Sequence, residues 1–152
     1  MKMNTSRFGE IEINEDLIFE FESPIIGYNE YSKYMLIEHD ENSCFKWLQS
    51  LDDPDLAFPV TSTTFFGIEY NFEIPDENAE KIGLEKVEDL LVLNIASIPT
   101  NNPKNTTINL RAPIIVNMTN LKAMQMILEN DSFKIKHPLF NQFSPKTPKK
   151  GG

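Results

Sequence analysis

The densest set of ionisable side chains is Asp52-Asp53-Pro54-Asp55, three carboxylates within four residues. Carboxylates at this spacing carry the oxygen donors that a hard cation takes. The run lacks the glycine at the sixth position and the glutamate at the twelfth that complete a calcium loop. Its other role is an acidic turn whose Asp side chains accept from nearby backbone amides, and the residue types favour that role. The remaining chemistry is sparse. His39 and His137 are the two histidines, and neither stands in an HExxH or a Cys/His pattern, so a zinc site would need carboxylates brought in from elsewhere. Cys44 is the single cysteine, which excludes an intramolecular disulfide. It could pair with a histidine as a nucleophile only if the fold brought the two together; otherwise it is a packed thiol beside Phe45. The 6 glycines make no phosphate-cradling GxGxxG. No metal or cofactor is expected.

The flanks of the acidic run are apolar. Trp47-Leu48-Gln49-Ser50-Leu51 precedes it and Leu56-Ala57-Phe58-Pro59-Val60 follows. Charge set between such arms can present a rigid recognition corner, since interfaces mix apolar centres with polar rims. The whole chain holds 14 basic and 23 acidic residues, a net charge of −9. That balance argues against direct nucleic-acid binding, which runs on Lys and Arg contacts to phosphate. It suits a basic protein partner, or simply solubility. The charge is also uneven: residues 1–89 hold 21 acids and 6 bases, residues 90–152 hold 2 acids and 8 bases. Unless the two parts interleave fully in space, one face is strongly negative.

The elements that must position these residues read mostly as strands. Glu10-Ile11-Glu12-Ile13 and Phe19-Glu20-Phe21-Glu22 alternate charged and apolar residues, as half-buried strands do. Tyr34 to Glu38 and Phe45 to Gln49 make two more, with a turn at Asn42-Ser43 joining them as a hairpin. Glu69 to Ile74 alternates again. One helix is expected over Glu77 to Ile82, capped by Asp76 and closed by Gly83, with a second short turn over Glu85 to Asp89. Leu90 to Ile98 is nearly continuous in apolar character and is read as a central strand covered on both faces. Asn101 to Asn105 is a loop, followed by strands over Thr106–Leu110, Pro113–Asn117, Ala123–Leu128 and Ser132–Lys136. Nine or ten short strands with one or two short helices, and 10 prolines scattered through turns and edges, point to a mostly β fold: a small antiparallel barrel or a barrel-like sandwich.

The 152 residues are expected to form one domain over 1–140, with a flexible Lys-, Pro- and Gly-rich tail over 141–152. The first residues lack the apolar run of a signal peptide, and no stretch is long and apolar enough to span a membrane. A cytoplasmic location is expected, and the three Asn-x-Ser/Thr sequons are read as chance matches.

The stretch from Trp47 to Val60 resembles the signature segment of the flagellar assembly factor FliW family. Four further blocks agree in order: Thr5-Ser6-Arg7-Phe8-Gly9-Glu10-Ile11, Asp89-Leu90-Leu91-Val92-Leu93-Asn94-Ile95, Asn109-Leu110-Arg111-Ala112-Pro113-Ile114-Ile115-Val116-Asn117, and His137-Pro138-Leu139. The resemblance runs from about residue 5 to 140. Ser23-Pro24-Ile25-Ile26-Gly27-Tyr28, residues 118–122 and the tail depart from it. It implies a non-enzymatic regulator that binds flagellin and, when free of flagellin, captures the RNA-binding translational repressor CsrA. It also implies a non-competitive, allosteric action on CsrA. The alternatives left open are a flagellin chaperone with no translational role and a small-ligand- or metal-binding barrel.

On this reading Asp52, Asp53 and Asp55 form an acidic contact corner, with Trp47 and Gln49 beside it. Flagellin would lay an amphipathic terminal helix into an apolar groove, for which Trp47, Phe58, Phe65 and Phe66 are the candidate aromatics, each otherwise a core residue. Asn94, Asn109 and Asn117 are polar residues in apolar strands; they either face a partner or satisfy backbone groups inside, the second being the commoner role. His137 would close the barrel edge or extend the binding surface.

Overall fold

The computed structural model describes residues 1–39 and 43–140. The turn expected at Asn42-Ser43 falls partly outside these residues, and the tail over 141–152 wholly outside. The described residues form the strands β1 (Lys2–Thr5), β2 (Gly9–Glu12), β3 (Ile18–Ser23), β4 (Lys33–Ile37), β5 (Lys46–Ser50), β6 (Ala57–Thr61), β7 (Leu90–Ser97), β8 (Thr107–Ile108), β9 (Ile114–Asn117), β10 (Lys122–Gln125) and β11 (His137–Pro138), with one short α-helix, α1 (Asp76–Lys81), and short 3-10 turns.

β1 and β2 form a separate hairpin, and β3-β4-β5-β6-β7-β9-β10 close into a ring of seven strands. Six of its pairings are antiparallel and one, β10 with β3, is parallel. The parallel pair is a matter of parity. Strand direction must alternate around an all-antiparallel ring, and an odd number of strands cannot do so. The exception carries a register shift between Ala123 and Met124.

The inside is filled by one side chain in two from each strand. Phe19, Tyr34, Leu48, Val60, Ile114, Val116 and Ala123 are fully buried and pack with Phe21 and Leu93. At about 25 cal/mol for each Å² removed from water, such aromatic and branched side chains dominate the stability. β7 shows why its sequence is apolar throughout. Leu91, Leu93 and Ile95 face the interior, while Leu90 and Val92 face outward beneath Phe72, Ile74 and Leu84. A second outer cluster joins Phe66, Ala96, Ile108, Leu110 and Leu139.

Two expected strands are absent. Glu69–Ile74 keeps its alternation, with Phe72 and Ile74 half-buried and Asn71 and Glu73 exposed, but forms no strand. It packs its apolar side on the outer wall of the barrel, where the strands already have ladder partners. Ser132–Lys136 is a turn, and the strand comes after it, at β11, which pairs with β8. Asp76 is the first residue inside α1 rather than its cap; Pro75 takes the cap position without a side-chain bond. β1 and β6 are strands that sequence patterning did not single out. In β6, Pro59 has no N–H to give a ladder, so the residue type argues against the strand that the segment forms.

Candidate functional site

The Asp52–Asp55 run turns the chain from β5 into β6. Its carboxylates first serve the backbone. Asp52 Oδ2 accepts from the amides of Ser32 at 2.9 Å and Lys33 at 3.2 Å. Asp53 Oδ1 accepts from the Asp55 amide at 2.9 Å, and its Oδ2 from the Tyr31 hydroxyl at 3.0 Å. That hydroxyl bond, together with desolvation and the neighbouring carboxylates, raises the Tyr31 pKa above its ordinary value. Asp55 accepts from Ser6 Oγ. Asp52 and Asp55 are exposed and Asp53 is half-buried.

Gln49 lies under this turn with no exposed surface. Its Nε2 faces four carbonyls of the turn, those of Ser50, Asp53, Pro54 and Leu56, at 3.0–3.4 Å. Ser50 Oγ accepts from the amides of Asp52 and Asp53. Trp47, two residues earlier on the same face of β5, is covered by the turn of the β1–β2 hairpin. The Arg7 guanidinium sits 4.3 Å over its ring, and Phe8 meets it edge-on at 5.7 Å. The Ser6 amide donates to the Pro54 carbonyl at 3.1 Å. The corner is therefore a composite of Ser6, Arg7, Tyr31 and the acidic turn. Three of those residues come from segments that the pattern around Asp52 could not indicate, because they meet it only in space.

The other candidate residues lie apart from the corner. Asn94 is fully buried; its Nδ2 donates to the Asn109 carbonyl at 2.9 Å and to Tyr70 Oη at 3.3 Å. Tyr70 in turn donates to the Leu110 carbonyl. Burial pushes the Tyr70 pKa up to about 12, with the Asn94 bond pulling the other way. Asn109 Oδ1 accepts from the amides of Arg111 and Ala112, each at 3.0 Å. Asn117, 1% exposed, donates to the carbonyls of Ile82 and Gly83 at 2.9 Å, tying the end of α1 to β9. His137 is half-buried in β11, opposite Ile108. Gln49, Asn94 and Asn117 thus use their amides on backbone groups and present no surface to a partner.

Phe58 lies at a second feature. β6 pairs with β7 only through Val60 and Thr61, and beyond Ile95 β7 pairs with β8 instead. The seam opens there into a groove of about 520 Å³ lined by Tyr28, Phe58, Ile95 and Ala112. Its rim carries Ile26, Ile127 and Ile135, which are 56%, 62% and 60% exposed. Of the neighbouring phenylalanines, Phe65 is 60% exposed and Phe66 is 7% exposed; they lie in a 3-10 turn rather than a strand. Among the described residues no three His, Cys, Asp or Glu side chains converge as a metal site, and no helix is long and apolar enough to cross a membrane.

Comparison with known proteins accounts for this arrangement. The family model described as FliW protein matches residues 2–139. The flagellar assembly factor FliW of Caldanaerobacter subterraneus subsp. tengcongensis is 41% identical over 143 residues, covering 93% of this chain and 95% of that one. That of Thermosipho africanus is 40% identical over 144 residues, covering 95% and 98%. A crystal structure of the flagellar assembly factor FliW superposes with a TM-score of 0.84 at 31% identity, covering 92% of this chain and 97% of that one. With the match spanning the barrel, the acidic corner and the closing strand alike, this chain belongs to the FliW family.

Proposed function

We propose that this chain is a cytoplasmic, non-enzymatic flagellar assembly factor. It binds flagellin and, when free of flagellin, binds and antagonises CsrA, so that the flagellin level sets flagellin translation. The observation that carries the flagellin half is the groove at the open seam. Three exposed isoleucines around Phe58 and Tyr28 make an apolar trough of a kind suited to one face of an amphipathic helix. The barrel interior is filled with side chains, which favours a partner held on the surface over a small ligand held inside. The excess of 23 acids over 14 bases suits a basic RNA-binding partner such as CsrA, speeding encounter more than deepening affinity.

In this reading Phe58 contacts flagellin, and the exposed Asp52 and Asp55 add negative field for CsrA. Asp53, Gln49 and Trp47 hold the corner's shape, Asn94, Asn109 and Asn117 hold backbone segments elsewhere on the barrel, and His137 closes the edge. The test is a calorimetric titration of flagellin into a preformed complex of this protein with CsrA. Release of CsrA is the expected outcome. A stable ternary complex would remove the switch while keeping both interactions, and absence of binding to either protein would overturn the reading.

A further inference from the structure

Among the described residues, the β1–β2 hairpin shares no ladder with the barrel. Its ion pairs run between its own two strands, from the Met1 amino group to Glu12 at 3.3 Å and from Lys2 to Glu10 at 3.9 Å. Thr5, its buried residue, bonds within the turn: its hydroxyl accepts from the Phe8 amide at 3.0 Å and donates to the Gly9 carbonyl at 2.9 Å. Contacts with the barrel gather at the tip. Both hydrogen bonds from residues 1–12 to the barrel, among the described residues, start at Ser6: the amide donates to the Pro54 carbonyl at 3.1 Å and the hydroxyl to Asp55. Arg7 lies over Trp47, and the Phe8 ring is 5.3 Å from His39 and 5.7 Å from Trp47. The other end stands off. A groove of about 700 Å³ separates Met1, Met3 and Ile13 on the hairpin side from Ile18, Leu51 and Leu121 on the barrel wall. The chain then enters β3 through a 3-10 turn, Glu15–Leu17, capped by Asn14, whose amide donates to Met35 Sδ at 3.3 Å.

We infer that the β1–β2 hairpin is a flap, hinged at residues 13–17 and latched at its tip, that lifts without the barrel opening and, when closed, keeps the face of Trp47 covered. Three features carry this. The hairpin buries little, and a two-stranded ribbon is marginal in water by itself, so it holds its ladder only while docked. Its latch is small: Ser6, Arg7 and Phe8 at one end, where a cation over a half-buried ring is a weak hold. The groove behind the latch leaves the rest of the hairpin without close packing on the wall. Segments with few buried contacts open at far lower free energy than a packed core. Lifting would uncover the indole and release Asp55 from Ser6 in one movement, so the surface that the acidic corner presents is set by an internal equilibrium. Arg7 is in this sense an internal occupant of the corner.

The test follows amide hydrogen exchange along the full chain together with labelling of Trp47, the single tryptophan, by an indole-reactive reagent. Wild type is compared with two variants that leave Arg7 and Trp47 in place. Ser6→Ala removes the bond to Asp55. Gly9→Ala strains the hairpin turn, where φ is near +67° and an added Cβ would meet no atom within 4 Å beyond its chain neighbours. In the wild type the β1–β2 ladder amides are expected to exchange about a hundredfold or more faster than those of β7 and β9. Each variant is expected to raise ladder exchange and Trp47 labelling together, by about threefold or more, with β7 and β9 unchanged as the control for folding. Ladder amides that exchange in step with β7 and β9 in the wild type would make the hairpin part of one unit with the barrel and overturn the flap. Ladder exchange that quickens in the variants while Trp47 labelling stays constant would overturn it too, because the hairpin would then not be what covers the ring.

Discussion

Asn117 and Gly83 show how much of this molecule turns on single side chains. Gly83 has φ near +67°, a left-handed conformation that L side chains adopt at a cost of about 1–2 kcal/mol, and an added Cβ would meet Asn120 Nδ2 at 3.1 Å. Gly83→Ala is therefore expected to lower stability by about 1–2 kcal/mol in a denaturant titration. Asn117→Ala should cost about 1–3 kcal/mol, because the Gly83 carbonyl loses its Asn117 donor and the buried Ile82 carbonyl is left with Asn120 Nδ2 alone. Tyr70 provides a pH signature. Its folded pKa of about 12 lies above its ordinary value of 10.0, so the hydroxyl stays protonated in the folded state after it ionises in the unfolded one. Its contribution is complete below about pH 10 and is lost as the pH rises toward 12. Tyrosinate absorbance followed against pH should show this late step, and Tyr70→Phe should reduce its amplitude, leaving the still later ionisation of Tyr34, whose hydroxyl burial pushes up further. The sequence marked Gly83 as a closing glycine and the three asparagines as polar residues in apolar strands. It could not name the carbonyls that Asn94 and Asn117 serve, which lie 15 to 35 residues away along the chain.

At the scale of elements, the corner is held from beneath by β5 and from the side by the β1–β2 hairpin. Gln49→Leu keeps the volume of the buried side chain but removes the donor shared by four carbonyls, so it should loosen the turn rather than the barrel. Hydrogen exchange should then quicken at the amides of residues 51–56 and stay slow in β7 and β9; quickening throughout would show that the corner and barrel unfold as one unit. Strands with clean alternation, such as β3, and the doubly covered β7 were legible from the chain alone. The Glu69–Ile74 segment misled because alternation reports only that one side is buried. It does not distinguish a strand in a ladder from a strap lying on a barrel wall. β6 escaped notice because Pro59 breaks the pattern that marks a strand, and the same proline stands where the seam opens into the groove.

For the whole molecule, charge is the property most open to test. Replacing Asp52, Asp53 and Asp55 together with Asn should weaken CsrA binding and flatten its salt dependence, at some cost in stability from the lost backbone bonds; unchanged affinity at low salt would remove the corner from the contact. Deleting residues 141–152 should leave the melting temperature nearly intact, whereas a drop of about 10 °C or more would show that these residues dock on the barrel. The sequence by itself determined the mostly β class, the acidic excess and its uneven spread, and the family, because these depend on residue types and on spacings of a few positions. Only the tertiary structure decided that the ring has seven strands with one parallel pair, that Trp47 lies beneath Arg7, and that the seam between β6 and β7 opens into an apolar groove. Those features arise from contacts between residues distant in the chain, and local periodicity carries no record of which segments meet.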